Sequence, residues 1–388
     1  EGGYIITGSS DLLGNGDNDI CLIKTDGFGN EEWFQTYDLG TCCDEYGLDV
    51  QQTNDGGYII AGRTAIPFGS NNGSTNAIYL IKTFPNGSLN WEYTYDGNGA
   101  NSIQQTTDGG YIMTGSKYGN NGSQISLLKI NSNGVEEWNY TYGAGGYSDG
   151  FSVKQTTDGG YIITGTKTPG GNDKDIYLIK TDMNGSQQWI QEFGGYYPAE
   201  ECYSVEQTVD GGYIIAGYHQ PFGGTSNIYV IKTFSDGSQD WVKEFGGASN
   251  DYGYCIQQTD DGGYIIAGDT ESYGSGSRDG FLLKTNSYGD SLWQKNFGGT
   301  SFDRLRSLEQ TNDGGYIICG TTLSFGNGYQ VYLVKTDRNG NSTPVLGCTD
   351  TLACNWNAMA NTDDGSCILP DGCTEPLACN YDPNALCD

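Results

Sequence analysis

Forty-eight acidic side chains face eighteen basic ones in this 388-residue chain, so carboxylates supply most of the groups that could do chemistry. Histidine occurs once, at His219, which leaves little room for histidine-dependent acid–base or metal work. A glycosidase would need two carboxylates facing one sugar. Glu200-Glu201 comes nearest to an unusual acid cluster, standing where other copies of a repeat carry Asp149 or Asp251. A calcium cage needs several convergent oxygens, and Asp17 and Asp19 (D-N-D), Asp173 and Asp175 (D-K-D) and Asp279 each precede a strand. Matching positions elsewhere hold Asn76, Gln124, Asn227 and Gln330, so a generic polar strand cap is the competing explanation. Lys24, Lys82, Lys129, Lys180, Lys232, Lys284 and Lys335 share one recurring position. They form either a cationic ring that collects anions or, as expected on so acidic a body, partners for neighbouring aspartates. Six N-x-S/T sequons, at Asn72, Asn86, Asn121, Asn139, Asn184 and Asn341, are candidate glycosylation sites. Two of them, Asn86 and Asn184, belong to Asn-Gly turns, where asparagine is wanted for its backbone.

Cysteine chemistry divides the chain. Cys348, Cys354, Cys367, Cys373, Cys379 and Cys387 crowd into the C-terminal tail, too short to build an adequate apolar core, and are expected to form a disulfide framework. Zinc is the alternative, but C-x-x-C spacing is absent; six cysteines allow 15 pairings, and their order selects none. In the tail Asn355, Asn357, Asp363 and Asp364 make an oxygen-rich loop, a candidate calcium site without full EF-hand spacing. No other cofactor is expected. Cys21, Cys42, Cys43, Cys202, Cys255 and Cys319 lie upstream; Cys319 replaces the small residue at Ala61, Thr114, Ala216 and Ala267 and is expected to be a buried thiol, and Cys42 or Cys43 is a candidate for a loop bridge. This usage implies an oxidising compartment, extracellular or at the cell surface. A formal net charge of −30 argues against nucleic acid or an anionic membrane as partner. No apolar run approaches the roughly 18 residues of a membrane span.

Positioning all these groups is a repeat. G-G-Y recurs with its tyrosine at Tyr4, Tyr58, Tyr111, Tyr161, Tyr213, Tyr264 and Tyr316, a mean period of 52 residues, and the seven lysines keep phase with it. Tryptophan follows in six copies, at Trp33, Trp91, Trp138, Trp189, Trp241 and Trp293. Each period predicts four short strands. In the fifth copy these are Ser204 to Thr208, Tyr213 to Gly217 after an Asp-Gly-Gly turn, Asn227 to Thr233, and Trp241 to Phe245 after Asp236-Gly237. Glycine makes up 62 residues, more than twice the usual share of about 7%. Y-I-I-A-G and I-Y-L-I-K are apolar at successive positions, which implies sheets covered on both faces.

The expected fold is therefore all-β: a seven-bladed β-propeller of four-stranded blades over residues 1–343, with a small disulfide-rich extension over 344–388. An open β-solenoid is the rival. Glu1 aligns with the aspartate of D-G-G-Y, so the first copy lacks its innermost strand, and the seventh lacks its tryptophan strand. The tail holds two copies at a period of 25, G-C-T-D-T-L-A-C-N-W-N and G-C-T-E-P-L-A-C-N-Y-D, the second incomplete. The natural protein is expected to be longer.

With its paired glycines and tryptophan-led fourth strand the repeat resembles the kelch propeller, although there the glycine pair ends the second strand instead of preceding it. It is more similar to the G-G-Y-I-I-A-G repeat of secreted bacterial propeller proteins, over residues 1 to about 340. The tail resembles the C-T-D-x-x-A-C-N-Y-D modules appended to bacterial surface proteins. Thr25-Asp26, Gly29 and Trp33 resemble the Asp-box of sialidase-type propellers with longer gaps; in that family the box is structural. These resemblances imply a non-catalytic, secreted structural or adhesive segment that associates with itself or with other surface proteins. A filament built by head-to-tail contacts would follow from an interface that does not close. The alternative is a glycan-binding propeller using loop aromatics, with Tyr118, Tyr147, Tyr196, Tyr197, His219, Phe222 and Tyr273 as candidates; a glycoside hydrolase is the third reading.

Overall fold

The computed structural model describes residues 2–11, 18–40, 44–65, 76–119, 122–143, 146–170, 173–195, 199–326 and 328–342, with the backbone of 346–347 and 362–363. Among them every regular element is a β-strand, and the architecture is a β-propeller. Seven blade sheets follow one another in chain order among the described residues, each an antiparallel meander. The fifth is representative: Ala199–Gln207, Tyr213–Gln220, Asn227–Thr233 and Gln239–Phe245. The first sheet has three strands (Gly3–Ser10, Asp19–Asp26, Glu31–Tyr37), as has the seventh (Asp303–Gln310, Tyr316–Thr322, Gln330–Thr336). A single parallel pairing, Lys174 with Ala199, links the fourth sheet to the fifth.

The third strand of the fifth sheet has the bounds its sequence predicts, but the first begins at Ala199, not Ser204. A β-bulge between Cys202 and Ser204 explains the difference. The extra residue, Tyr203, breaks the two-residue alternation on which a sequence reading rests. Gly217 on the second strand makes room for the bulge, since a Cβ there would run into the Glu201 carbonyl and lie 2.7 Å from the Cys202 Cα. The same bulge recurs in every described first strand, re-aiming Leu48, Asn101, Phe151, Tyr203, Tyr254 and Arg306.

Successive residues of Y-I-I-A-G serve different neighbours. Tyr213 and Ile215 pack with Ile162, Ile176 and Leu178 of the fourth sheet, whereas Ile214 and Ala216 pack with Tyr264 and Ile266 of the sixth. Six seams are closed by one recurring latch. The Trp189 ring stands edge-on to Tyr213 of the next sheet, with centroids 5.8 Å apart, and covers Gly237 in that sheet's hairpin. Gly237 has φ of 81°, and a Cβ on it would lie 2.6 Å from Trp189 Cζ3. Trp33, Trp91, Trp138, Trp241 and Trp293 repeat the contact with Tyr58, Tyr111, Tyr161, Tyr264 and Tyr316.

First strands of adjacent sheets are also tied side chain to backbone. Gln104 Oε1 accepts from the Gln155 amide at 2.5 Å, Gln257 Oε1 from the Gln310 amide at 2.8 Å, and Ser204 Oγ from the Ile256 amide at 3.2 Å. Strand-edge N–H groups that would otherwise lack partners are satisfied this way. Burial raises the Tyr4 phenol and the Asp313 charge adds to it, as Asp158 of the fourth sheet does for Tyr213 of the fifth. Tyr4, with no tryptophan described beside it, is half-buried, while its six counterparts are almost wholly enclosed.

The latch has a testable cost. Gly237→Ala should destabilise by about 2–4 kcal/mol in denaturant unfolding, combining left-handed strain with overpacking. Gly211→Ala, with φ of 83° and open space around it, should lose only about 1–2 kcal/mol. Equal losses would mean that the tryptophan exerts no steric demand.

Candidate functional site

The seven lysines are structural. Lys82, Lys129, Lys180, Lys232, Lys284 and Lys335 reach the aspartate of their own D-G-G turn (Asp55, Asp108, Asp158, Asp210, Asp261, Asp313) at 2.7–3.0 Å. Lys24 pairs with Glu32 at 2.9 Å. Each ammonium also donates to the carbonyl of the following residue, as Lys180 does to Thr181 at 2.8 Å. Burial alone would raise the Asp158 carboxyl. Hydrogen bonds from Thr156, Lys180 and the Gly160 amide, with the lysine charge, outweigh it and hold the group at about 2.

The other expected residues scatter. Successive residues of a strand face opposite ways, so Glu200 is buried beside His219 Nε2 at 3.8 Å, while Glu201 pairs with Lys174 and accepts from the Tyr203 hydroxyl at 2.6 Å. They do not share a substrate-facing position. Tyr118, Tyr147 and Phe222 are exposed on separate sheets. His219 stacks on Tyr229, and Tyr273 packs on Phe281 while its hydroxyl donates to the Gly246 carbonyl. Tyr196 and Tyr197 lie outside the described residues, as do Asn72 and Asn121, Asp17, Cys42, Cys43 and the six tail cysteines. So do Asn355, Asn357 and Asp364; of Asp363 only the backbone is described, pairing with Gly347. Asn86, Asn184 and Asn341 sit in exposed turns. Asn139 departs from the exposed-turn expectation: it lies mid-strand opposite Leu128 with its Oδ1 buried, because its sequon falls in a fourth strand instead of a hairpin. Cys21, Cys202, Cys255 and Cys319 are free thiols. Contrary to expectation Cys319 is only half-buried, since the face of the seventh sheet is less covered, as half-buried Ile317 and Tyr332 also show.

A cluster that the sequence did not reveal forms where the first strands line the propeller axis. The bulges of the fourth to seventh sheets bring Phe151, Tyr203, Tyr254 and Arg306 into one ladder. Phe151 and Tyr203 have centroids 5.3 Å apart, Tyr203 and Tyr254 are 5.1 Å apart, and the Arg306 guanidinium lies 4.5 Å from the Tyr254 centroid. Tyr218 and Tyr252 extend it, edge to face at 5.1 Å. Two further arginines frame it: Arg304 bonds Asp269 at 2.7 Å and lies over Phe302, and Arg278 pairs with Glu271 and lies over Tyr252. Three of the chain's five arginines thus converge here. Arg306 is exposed and, among the described residues, makes no ion pair. Half-buried Phe151 and Tyr203, with buried Tyr254 beneath an unpaired guanidinium, suit stacking and anion recognition. The only precursor in the sequence was divergence: one residue per copy that fits neither face of the strand.

No family model matches the chain, and no curated protein does. Among solved structures it is similar to the periplasmic gluconolactonase PpgL of Pseudomonas aeruginosa, at 10% identity over 87% of this chain and 94% of that one, with a TM-score of 0.57. It is also similar to Sqt1 of Chaetomium thermophilum, at 11% identity over 88% and 80% of the two chains and a TM-score of 0.51. At these identities the likeness is one of fold.

The lysine–aspartate pairs predict an acid signature. A depressed carboxylate stabilises the fold at pH values above its unfolded pKa of about 3.9, and the contribution disappears as pH falls toward about 2. Asp158→Asn should therefore lower the urea midpoint at pH 7, with the gap to wild type narrowing between about pH 4 and pH 2. A gap that stays constant across that range would exclude the ionic contribution.

Proposed function

We propose that this protein is a non-catalytic, extracellular or cell-surface propeller of seven blades closed into a ring, serving as a structural or adhesive scaffold. Its recognition surface is the aromatic–arginine ladder at the axis. The observation that carries this reading is the division of labour within each repeat. Latch, turn and lysine are nearly interchangeable from blade to blade, whereas the bulge residue varies around the ring: Leu48, Asn101, Phe151, Tyr203 and Tyr254, then Arg306. Repeated parts hold the ring; the varied part meets a partner. An exposed guanidinium on a body of net charge −30 favours an acidic protein surface, and a second copy of this chain offers one.

The glycan-binding reading keeps one specific support, since the half-buried rings of Tyr203, Tyr218 and Tyr252 can stack on sugar rings. A glycoside hydrolase has less: in the cleft between the sixth and seventh sheets, about 360 Å³ in volume, Asp261 is already engaged by Lys284.

Sedimentation of the full chain over a concentration series tests the scaffold. Self-association should appear, weaken in high salt, and fall at least about tenfold with Arg306→Glu. A monomer at every concentration, disulfides intact and calcium present, would defeat self-assembly; a glycan array with hits lost in Tyr203→Ala would then favour the lectin reading.

A further inference from the structure

Between the first and second sheets, Asp19, Asp38 and Glu45 each bring a carboxylate oxygen within 4.8 Å of the others. Asp19 and Glu45 are buried, Glu45 completely. Glu45 Oε1 accepts from Thr64 Oγ1 at 2.9 Å, but Oε2 is enclosed and accepts no hydrogen bond. A buried, unmatched carboxylate oxygen is costly unless something positive meets it. We propose that a divalent cation, calcium, binds in this seam between the two blades.

The same register elsewhere in the ring supports the assignment. Glu45 corresponds to Asp303 of the seventh sheet and Asp19 to Asp279 of the sixth. Asp279 is buried, and its Oδ1 again accepts no hydrogen bond. Both acids converge on Gly298: a Cβ placed there would lie 2.6 Å from Asp279 Oδ1 and would strike Asp303 Oδ2. Asp38 holds the place of Gly298 in the first sheet, so where this glycine leaves a gap a third carboxylate enters. A seam without acids is resolved differently. Between the third and fourth sheets the corresponding residues are Gln124 and Ser148, and Gln124 Nε2 donates to the Gly143 carbonyl at 2.7 Å. There a protein N–H supplies the positive end. At the acidic seams no N–H reaches Glu45 Oε2 or Asp279 Oδ1. The charged groups that face Glu45 are Asp38, Asp19 and Asp44, all of them negative. Carboxylates at a partly rigid strand junction are hard oxygen ligands, and three at this seam against two between the sixth and seventh sheets rank it the tighter of the pair.

Titration calorimetry with calcium chloride on the chelator-treated full chain is the direct test. Binding is expected with Kd of roughly 10⁻⁴–10⁻³ M, the range of extracellular modules, together with a rise in Tm on adding calcium. Asp38→Gly places at the first seam the residue that the sixth sheet carries naturally, so it should fold; it should weaken the tightest site at least about tenfold and shrink the Tm rise. Glu45→Gln should do the same. Calcium held by the tail would survive both changes, so binding and Tm shift unaltered in Asp38→Gly combined with Asp279→Asn would overturn the proposal. A wild type indifferent to calcium, with Glu45→Gln more stable than it at neutral pH, would overturn it too, leaving a proton on Glu45 as the occupant.

Discussion

Every blade sheet of this protein is apolar on both faces, and none can be buried without a neighbour on each side. That constraint governs the rest. Alternate residues of Y-I-I-A-G belong to two different cores, so a sheet alone would leave half of them wet. Curving the sheets round an axis gives each strip two partners with the same packing repeated. Tryptophan sets the spacing: its ring lies between a tyrosine and a glycine of the next sheet, and only a residue without a side chain lets the hairpin approach so closely.

Close packing obliges the polar groups to find partners within the fold. The D-G-G turn meets this demand with one carboxylate serving several donors: Asp158 Oδ1 accepts from the Thr156 hydroxyl at 2.6 Å, the Gly160 amide at 3.0 Å and Lys180 at 3.0 Å. The lysine is nearly enclosed and its aspartate largely exposed, so one partner stays hydrated and the desolvation of a fully buried ion pair is avoided. At the inner edge, glutamine and serine side chains substitute for the missing strand. The seam acids do not follow this rule: Glu45 Oε2 and Asp279 Oδ1 are among the buried polar atoms that accept no hydrogen bond.

Much of this was legible beforehand. The recurrence of G-G-Y, lysine and tryptophan sufficed for strand count, order and turns, because those residues answer to local geometry and to one repeated contact. The outer part of each first strand was not legible, since the bulge at Tyr203 or Arg306 breaks the periodicity by which strands are recognised. The axial ladder was hidden for a related reason: Phe151, Tyr203, Tyr254 and Arg306 are about 50 residues apart in sequence, and they meet only because four bulges point inward. Likewise Asp19 was readable as a strand cap, but its neighbours Asp38 and Glu45 come from another strand and another repeat. The lysine pairing was visible because both partners lie in one repeat.

The last residue of the fourth strand divides the ring. Tyr37, Tyr95 and Tyr142 each donate a hydroxyl across the seam to the carbonyl of Gly87, Gly134 or Gly185 at 2.5–2.6 Å. In the fourth, fifth and sixth sheets the residue is Phe193, Phe245 or Phe297, which has no hydroxyl to give. Three seams thus carry a rivet that the next three lack, and the axial ladder stands among the unriveted ones. Amide protons beside the missing rivets should trade with solvent sooner than those beside Tyr37, Tyr95 and Tyr142.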